Sequence, residues 1–498
     1  MAVITCIILA PITQIPQFYT NPTLIQLNHA PRYRRIAIIG TGPSGLSAVK
    51  ALHDENTFDT IRVFERHNRV GGIWHYDPIP DPFRPPGTPS PSTPNPIPTT
   101  LPQFTPPQPD DPSARTAIYP HLDSNVGAKT MSFTHTPFPA INSATSIKQF
   151  GPANATRPFR VVANYLEDLF IPYLNLVSFN TTVERIHKPP GASEWTLTLR
   201  KSNHLYRHQP SDYWWTETFD AVIVASGHYN EPFIPDIPGL ATTATTHPHA
   251  FEHAKAFRHS DTYINQRVLI VGGNISAADL VTDLHALVQG PLYVSQRGTN
   301  PSLESAWSLP NVQRKPTIAH ITPTPSSSTT TTSTKPITVH FTSHPPITID
   351  KVIFATGYKP SYPFLTPSPV TAHNRVAGFY QHIFSITDPS LALVGQIRAA
   401  LSFRVYEYQA VAVARFFANR GGGLPGRLEQ EEWELERLKT KGNGVAFHEI
   451  KPEFGEYFEV LRGIAGGDGV GGWLPGFEER WVEEAFEVLR GKEGFWGG

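Results

Sequence analysis

Apolar residues along this chain fall into short runs punctuated by glycine turns. Ile36 to Ile39 is a run of four apolar residues, the pattern of a strand buried on both faces. The turn Gly40-Thr41-Gly42-Pro43-Ser44-Gly45 follows, and Leu46 to Leu52 then repeats at the helical period. Ile61 to Phe64 is a second buried run and ends at Glu65. The same order recurs downstream: a strand from Arg267 to Val271, the turn GGNISAAD, a helix predicted over Ala278 to Val288, and a strand from Pro291 to Ser295 that leads into Arg297. Further strands are predicted at Val177–Arg185, Trp195–Leu199, Asp220–Val224, Ile337–Thr342, Ile349–Phe354 and Leu391–Gly395. Helices are predicted over Arg160–Leu174 and Glu407–Asn419, the latter stopped by Gly421 to Gly423. Strand-turn-helix-strand units predict an α/β protein with two Rossmann-like, three-layer dinucleotide domains, the second inserted into the first. The expected boundaries are an N-terminal extension at 1–32, a first domain made of 33–228 and 346–425, a second at 229–345, and a helical tail at 426–498 packed on the first.

Composition narrows the class. The chain has 498 residues, enough for two or more domains with large cores. Its 41 basic and 42 acidic residues leave a formal charge of −1, which gives no electrostatic case for nucleic acid. Cys6 is the only cysteine, so an internal disulfide, a CxxC pair and a cysteine zinc site are excluded. No apolar run is long enough to span a bilayer. A cytoplasmic protein is expected, with association with the endoplasmic reticulum as the alternative, and a homodimer is compatible with the composition. Residues 78–116 are proline-dense and read as a surface insertion of polyproline character. His247, His249, His253 and His259 crowd one loop, but their spacing matches no metal site. Trp214 and Trp215 read as packing residues.

The two turns differ in a way that assigns ligands. In the first, Gly40 permits a tight turn, Gly42 lets backbone approach a pyrophosphate, and Gly45 lets the helix sit close to the strand. The helix N-terminus, with Pro43 and Ser44, offers free N–H groups to phosphate. Glu65 suits ribose hydroxyls and repels a 2′-phosphate, so FAD or NAD is expected there. The second turn carries Gly272, Gly273, Asn274, Ser276 and Ala277, with Asn274 in place of the second glycine and Ala277 in place of the third. Asn tolerates left-handed backbone, which would let the turn survive. Arg297 stands where an acid would otherwise sit and suits the 2′-phosphate of NADPH.

Residues from Ile36 to about Gly423 resemble the flavin-containing monooxygenases, class B flavoproteins, including fungal members. The resemblance rests on GTGPSG and Gly71–Trp74 (GGIW), on ASGHYNEPFIP and FATGY at the domain links, on GGNISAAD, and on YPHLDSN, which ends at Asn125. It departs in the family pattern FxGxxxHxxxY/F, where His259 and Tyr263 are kept while His253 and Lys255 hold the Phe and Gly positions. Tyr263 argues against the Baeyer–Villiger branch. The resemblance implies FAD held by the first turn with Glu65, Gly72, Ile73, Trp74, Asn125, Val183 and Gln409, and NADPH held by the second turn with Arg297. It implies Asn125 as the catalytic residue. The implied reaction is of the N,N-dimethylaniline monooxygenase type: NADPH reduces FAD, oxygen forms a flavin 4a-hydroperoxide, and a soft sulfur or nitrogen of a small molecule is oxygenated. An N-hydroxylase of an amine, an NADPH oxidase releasing hydrogen peroxide, and a non-catalytic FAD-binding protein are the alternatives.

Overall fold

The computed structural model describes residues 30–88, 96–109, 111, 114–298, 300–324, 335–399, 401–467 and 474–497. The expected N-terminal extension, apart from its last residues, lies outside the described residues.

The first unit is built as the apolar pattern dictates. Strand β1 (Arg35–Ile39) leads through the glycine turn into α1 (Pro43–Glu55), and β2 (Thr60–Phe64) returns parallel to β1. β3 (Ala221–Val224) lies on the other side of β1, also parallel. Leu391–Leu393, Phe384–Ser385 and Phe379–Tyr380 extend the sheet beyond β3, and Val177–Ser178 closes the opposite edge beyond β2. The central residues Ile36, Ile38, Val63 and Ile223 are buried without remainder, which is why these runs carry no polar alternation.

The second unit repeats the design. β4 (Val268–Val271), α2 (Ile275–Leu284) and β5 (Leu292–Ser295) form its parallel core, and β6 (Lys351–Phe354) pairs with β4 on the other side. Phe251–His253 and Val312–Lys315 take the two edges. The boundary expected at 345/346 is therefore too early, because β6 belongs to the second sheet. Between the two units the chain crosses twice. Glu231–Pro232 in the first crossing pairs antiparallel with Tyr358–Lys359 in the second, so the two links form one short ribbon.

Several elements differ from expectation for local reasons. The helix predicted over Arg160–Leu174 is α-helical only over Phe159–Phe170 and tightens to 3₁₀ over Ile171–Leu176. Pro172 lacks the N–H needed to continue the ladder. The strand predicted over Val177–Arg185 breaks at Asn180, whose φ of 52° turns the chain; Thr181–His187 then joins a separate antiparallel sheet. That sheet adds Trp195–Tyr206, longer than predicted, and Gln209–Phe219, where no strand is predicted. Trp214 and Trp215 lie within it, their indole N–H groups donating to Thr105 Oγ1 (2.9 Å) and Glu217 Oε1 (2.8 Å).

The proline-rich insertion is not a loose surface spacer in its described parts. Phe83 stacks against Phe251 at 5.5 Å and Phe354 at 5.7 Å between ring centroids, on the second sheet. Gln103–Thr105 adds a strand to the antiparallel sheet of the first unit, where Phe104 stacks on Tyr206 at 4.2 Å. The tail also goes deeper than the surface packing expected of it. Phe454, Tyr457, Phe458, Leu461 and Ile464 are buried in the first core, against the helix α3 (Ser402–Phe417).

Candidate functional site

Both glycine turns open onto one continuous cleft of about 1450 Å³. That exceeds the roughly 300–1,000 Å³ of a pocket for one small ligand and suits two dinucleotides.

On the first side, Gly40 has φ +103° and donates its N–H to the Phe64 carbonyl at 2.9 Å. The Gly71 N–H reaches the Thr41 carbonyl at 3.0 Å, which ties the GGIW turn to the first turn. Gly72 has φ +61°, and a Cβ there would sit 2.9 Å from Gly42 Cα. Gly42 precedes the first turn of α1, with Pro43 pre-set at its start. The result is a bare backbone cradle facing free N–H groups, a fit for pyrophosphate. Glu65 forms the end wall. One of its carboxylate oxygens accepts from the Thr41 amide (3.0 Å) and hydroxyl (2.6 Å), the other from the His67 amide (2.8 Å). The oxygen that accepts from His67 keeps an acceptor site for a ribose hydroxyl. Gly40, Gly42, Pro43, Ser44, Glu65, Gly72, Ile73, Trp74 and Val183 all line the cleft.

Gly45 does not line it. A Cβ at Gly45 would lie 2.0 Å from the Gly40 carbonyl oxygen, so this glycine serves the close packing of α1 on β1. Gln409 does not line it either. It is fully buried in α3, its Oε1 accepting from the Gly395 amide (2.8 Å) and its Nε2 donating to Tyr457 (2.8 Å). Gln409 therefore sits behind the wall and holds Gly395, which lines the cleft; the residues of α3 that line it are instead Ser402, Phe403 and Tyr406.

On the second side, Gly272, Gly273, Asn274, Ser276 and Arg297 face the cleft. Ala277 is fully buried and acts as a packing residue at the foot of α2. Asn274 is not left-handed. Its φ of −123° is extended, and its Oδ1 accepts from the Ile275 amide at 2.9 Å as the N-cap of α2. Asn thus replaces glycine by capping the helix, not by tolerating a strained turn. Gln296, between Ser295 and Arg297, is the residue that the sequence pattern did not single out. Both ends of its amide are buried and lack a partner among the described residues, beside Gly273. A buried unpartnered amide at the end of a parallel strand fits a coenzyme that supplies both donor and acceptor.

Asn125 sits at the cleft with its side chain exposed. Its backbone is held on both flanks. Ser124 exchanges hydrogen bonds with Arg157, and Gly127 packs so closely on the helix Arg480–Ala485 that a Cβ would lie 2.1 Å from the Glu484 carbonyl oxygen. Asn125 lies in a bend just before Gly127. Trp74, Met131 and Phe403 give this part of the cleft an apolar wall. His228, in the first link, also faces the cleft, with both ring nitrogens buried and unpartnered among the described residues; the Gly395 backbone beside it falls outside hydrogen-bond geometry. Burial, and then the Arg398 guanidinium, lower its pKa to about 4, so the ring is neutral at pH 7. The repeated ASGHY and FATGY segments were the sequence signal for this region. Of the loop histidines, His253 is buried, its Nδ1 accepting from the Lys255 amide (3.1 Å) and its Nε2 donating to the Gly357 carbonyl (3.0 Å). Among the described residues no group of side chains is arranged to hold a metal ion.

Comparison with known proteins gives a consistent picture. A family model described as NAD(P)-binding Rossmann-like domain matches residues 38–85, and one described as Pyridine nucleotide-disulphide oxidoreductase matches residues 213–395. Flavin-containing monooxygenase iboF of Amanita muscaria is 30% identical over 505 residues, covering 89% of this chain and 86% of the relative. Flavin-containing monooxygenase ustF2 of Aspergillus flavus is 27% identical over 514 residues, covering 93% of this chain and 98% of the relative. Among solved structures, S-allyl-L-cysteine S-oxygenase from Allium sativum superposes with a TM-score of 0.67 at 23% identity, covering 93% of each chain; at that identity the likeness speaks for the fold.

Proposed function

The chain belongs to the flavin-containing monooxygenase family, an enzyme family that uses FAD and NADPH, and from that premise we propose that it oxygenates a soft nucleophilic sulfur or nitrogen of a small molecule. The observation that carries this reading is a single cleft with a carboxylate, Glu65, at one glycine turn and a guanidinium, Arg297, at the other. Two different dinucleotides, one without and one with a 2′-phosphate, are then held in reach of each other. When bound, FAD supplies the electron transfer from NADPH and the activation of oxygen. The chain's own residues bind and shield. The cradle at Gly40, Gly42 and Gly72 and the start of α1 receive the pyrophosphate of FAD. Gln296 and Arg297 orient NADPH. Trp74, Met131 and Phe403 exclude water. Asn125 donates a hydrogen bond from a neutral amide, which carries no proton to give away, and His228 is likewise neutral. Asn274 as a sound helix cap speaks against a chain that has lost coenzyme binding. No helix among the described residues is long and apolar enough to cross a membrane.

The test has two stages. The purified protein should be yellow and should bleach with NADPH in the absence of oxygen. In air, with a panel of thioethers and amines, label from ¹⁸O₂ should enter the product with little hydrogen peroxide. A protein that NADPH does not bleach would sink the reading. Peroxide as the sole product across the panel would replace it with an NADPH oxidase, and label confined to a primary amine would favour the N-hydroxylase.

Arg297 gives a second handle. Arg297→Ala is expected to raise KM for NADPH about 10–100-fold, the worth of a charge-assisted phosphate contact, and to leave KM for NADH unchanged. Steady-state kinetics with both coenzymes checks it. Equal rises for both would place Arg297 away from the phosphate.

A further inference from the structure

The family pattern FxGxxxHxxxY/F is broken here at His253 and Lys255, and the proline-rich insertion lies outside the resemblance. The structure joins these two peculiarities. Lys255 is 1% exposed, yet its ammonium group stands 2.6 Å from the carboxylate of Asp81, a residue of the insertion. The same group donates to the Asn230 carbonyl at 2.8 Å, in the first link between the domains. His253 reaches the second link through the Gly357 carbonyl, and the Lys255 amide fixes its ring. Arg258 binds both stems of the insertion, donating to the Asp77 carbonyl (2.6 Å) and the Thr116 carbonyl (3.0 Å), and closes on the Lys255 carbonyl (2.9 Å). Asn230, Gly357 and Tyr358 all line the cleft.

We infer that Lys255, paired with Asp81, is a positioning residue: it locks the insertion onto the domain links and so fixes where the coenzyme domain holds its ligand against the flavin domain. A glycine at position 255 could make no such bond, so the departure from the pattern and the insertion are two halves of one device. The insertion is a strap. Asp81 and Phe83 seat it on the coenzyme side, and the strand Gln103–Thr105 seats it on the sheet of the flavin side. The bond from Lys255 to Asn230 carries its hold onto the cleft wall. Burial opposes both charges, raising the pKa of Asp81 and lowering that of Lys255 against their mutual attraction. A pair of this kind is poor value for stability alone, because apolar side chains of similar size do as well.

That last point supplies the test. The full chain, loaded with FAD, is compared as wild type, Lys255→Met, Asp81→Asn and the double variant Lys255→Met/Asp81→Leu. Either single change leaves a buried charge without its counter-charge and lowers Tm. The double change removes both charges and should bring Tm back near wild type. Positioning should not return with it, since the bond to Asn230 is still missing. Hydrogen exchange at the Glu231–Phe233 and Gly357–Lys359 ribbon should stay roughly tenfold faster in both proteins that carry Lys255→Met, the factor expected for one lost charge-assisted bond. This result rests on the functional reading only for its second readout, the hydrogen peroxide released per NADPH, which should stay raised in the double variant. Wild-type exchange in the double variant, or in Lys255→Met alone, would overturn the inference and leave an ordinary buried ion pair. A wild-type protein that never oxidises NADPH would overturn the functional reading instead, and the exchange rates would still decide this one.

Discussion

Asn125→Ala retains FAD, bleaches with NADPH at close to the wild-type rate, and yields hydrogen peroxide where the wild type yields oxygenated product. The expectation follows from where the side chain is and from what holds it. The backbone around Asn125 is fixed by the Ser124–Arg157 pair on one side and by the seat of Gly127 on the helix Arg480–Ala485 on the other. Neither anchor uses the Asn125 amide, so truncation leaves the loop in place. The amide itself is exposed to the cleft beside the apolar wall of Trp74 and Met131. Removing one hydrogen-bond donor aimed at the reacting oxygen typically costs about 10²–10³ in rate. Loss of product by about that factor, at unchanged FAD content, is the expected result. Asn125→Asp should do no better, because an ionised carboxylate only accepts hydrogen bonds. Full product formation by Asn125→Ala would remove Asn125 from the chemistry and return it to the status of a loop residue.

Much of the frame was legible because it depends on short-range rules. Four-residue apolar runs, a glycine turn and a helical period specify the strands β1 and β2 almost to the residue, while α1, expected over Leu46 to Leu52, extends three residues further at each end. The second unit's strands read equally well; its helix, expected over Ala278 to Val288, begins earlier, at Ile275, because Asn274 caps it, and ends at Leu284. The failures share a physical cause, which is dependence on distant partners. Gln209–Phe219 is an antiparallel strand whose Tyr213, Trp214, Thr216 and Thr218 have the right propensities, yet it needs Trp195–Tyr206 to pair with. β6 belongs to the second sheet by its pairing with β4, and no local signal distinguishes it from a strand of the first. Proline density in the insertion concealed Asp81 and Phe83, whose partners Lys255, Phe251 and Phe354 lie far along the chain.

The site divides along the same line. Backbone requirements were readable, since only glycine suits Gly40 or Gly72 and an acid at the end of β2 has few other uses. Side-chain direction was not. Gln409 has the right helix and the wrong face, and turns its amide to Gly395 and Tyr457. Gln296 carries no motif and His228 lies inside one, ASGHY, that says nothing of its ring; their burial without partners among the described residues marks them.

Gly45→Ala is expected to abolish FAD retention, although Gly45 never touches the cleft. The added Cβ would stand 2.0 Å from the Gly40 carbonyl oxygen and 2.8 Å from its carbon. Both atoms are backbone, so no rotamer change relieves the clash. Gly40 cannot retreat. Its N–H is bonded to Phe64, and the space its own missing Cβ would fill is closed by the Ala225 carbonyl oxygen at 2.6 Å. The strain therefore falls on α1, which must tilt away from β1 and carry its first N–H groups out of line with the pyrophosphate. Overpacking of this kind costs about 1–3 kcal/mol where side chains can yield, and more where only backbone can. The matched control is Ala277→Gly in the second turn, where a methyl is already buried at the corresponding place. That change should cost about 1 kcal/mol of helix stability and leave FAD bound. The flavin-to-protein absorbance ratio, with circular dichroism to confirm folding, reads both variants. A folded Gly45→Ala with a full complement of FAD would show that α1 has room to move, and that the close seat of α1 on β1 is not what positions the phosphate.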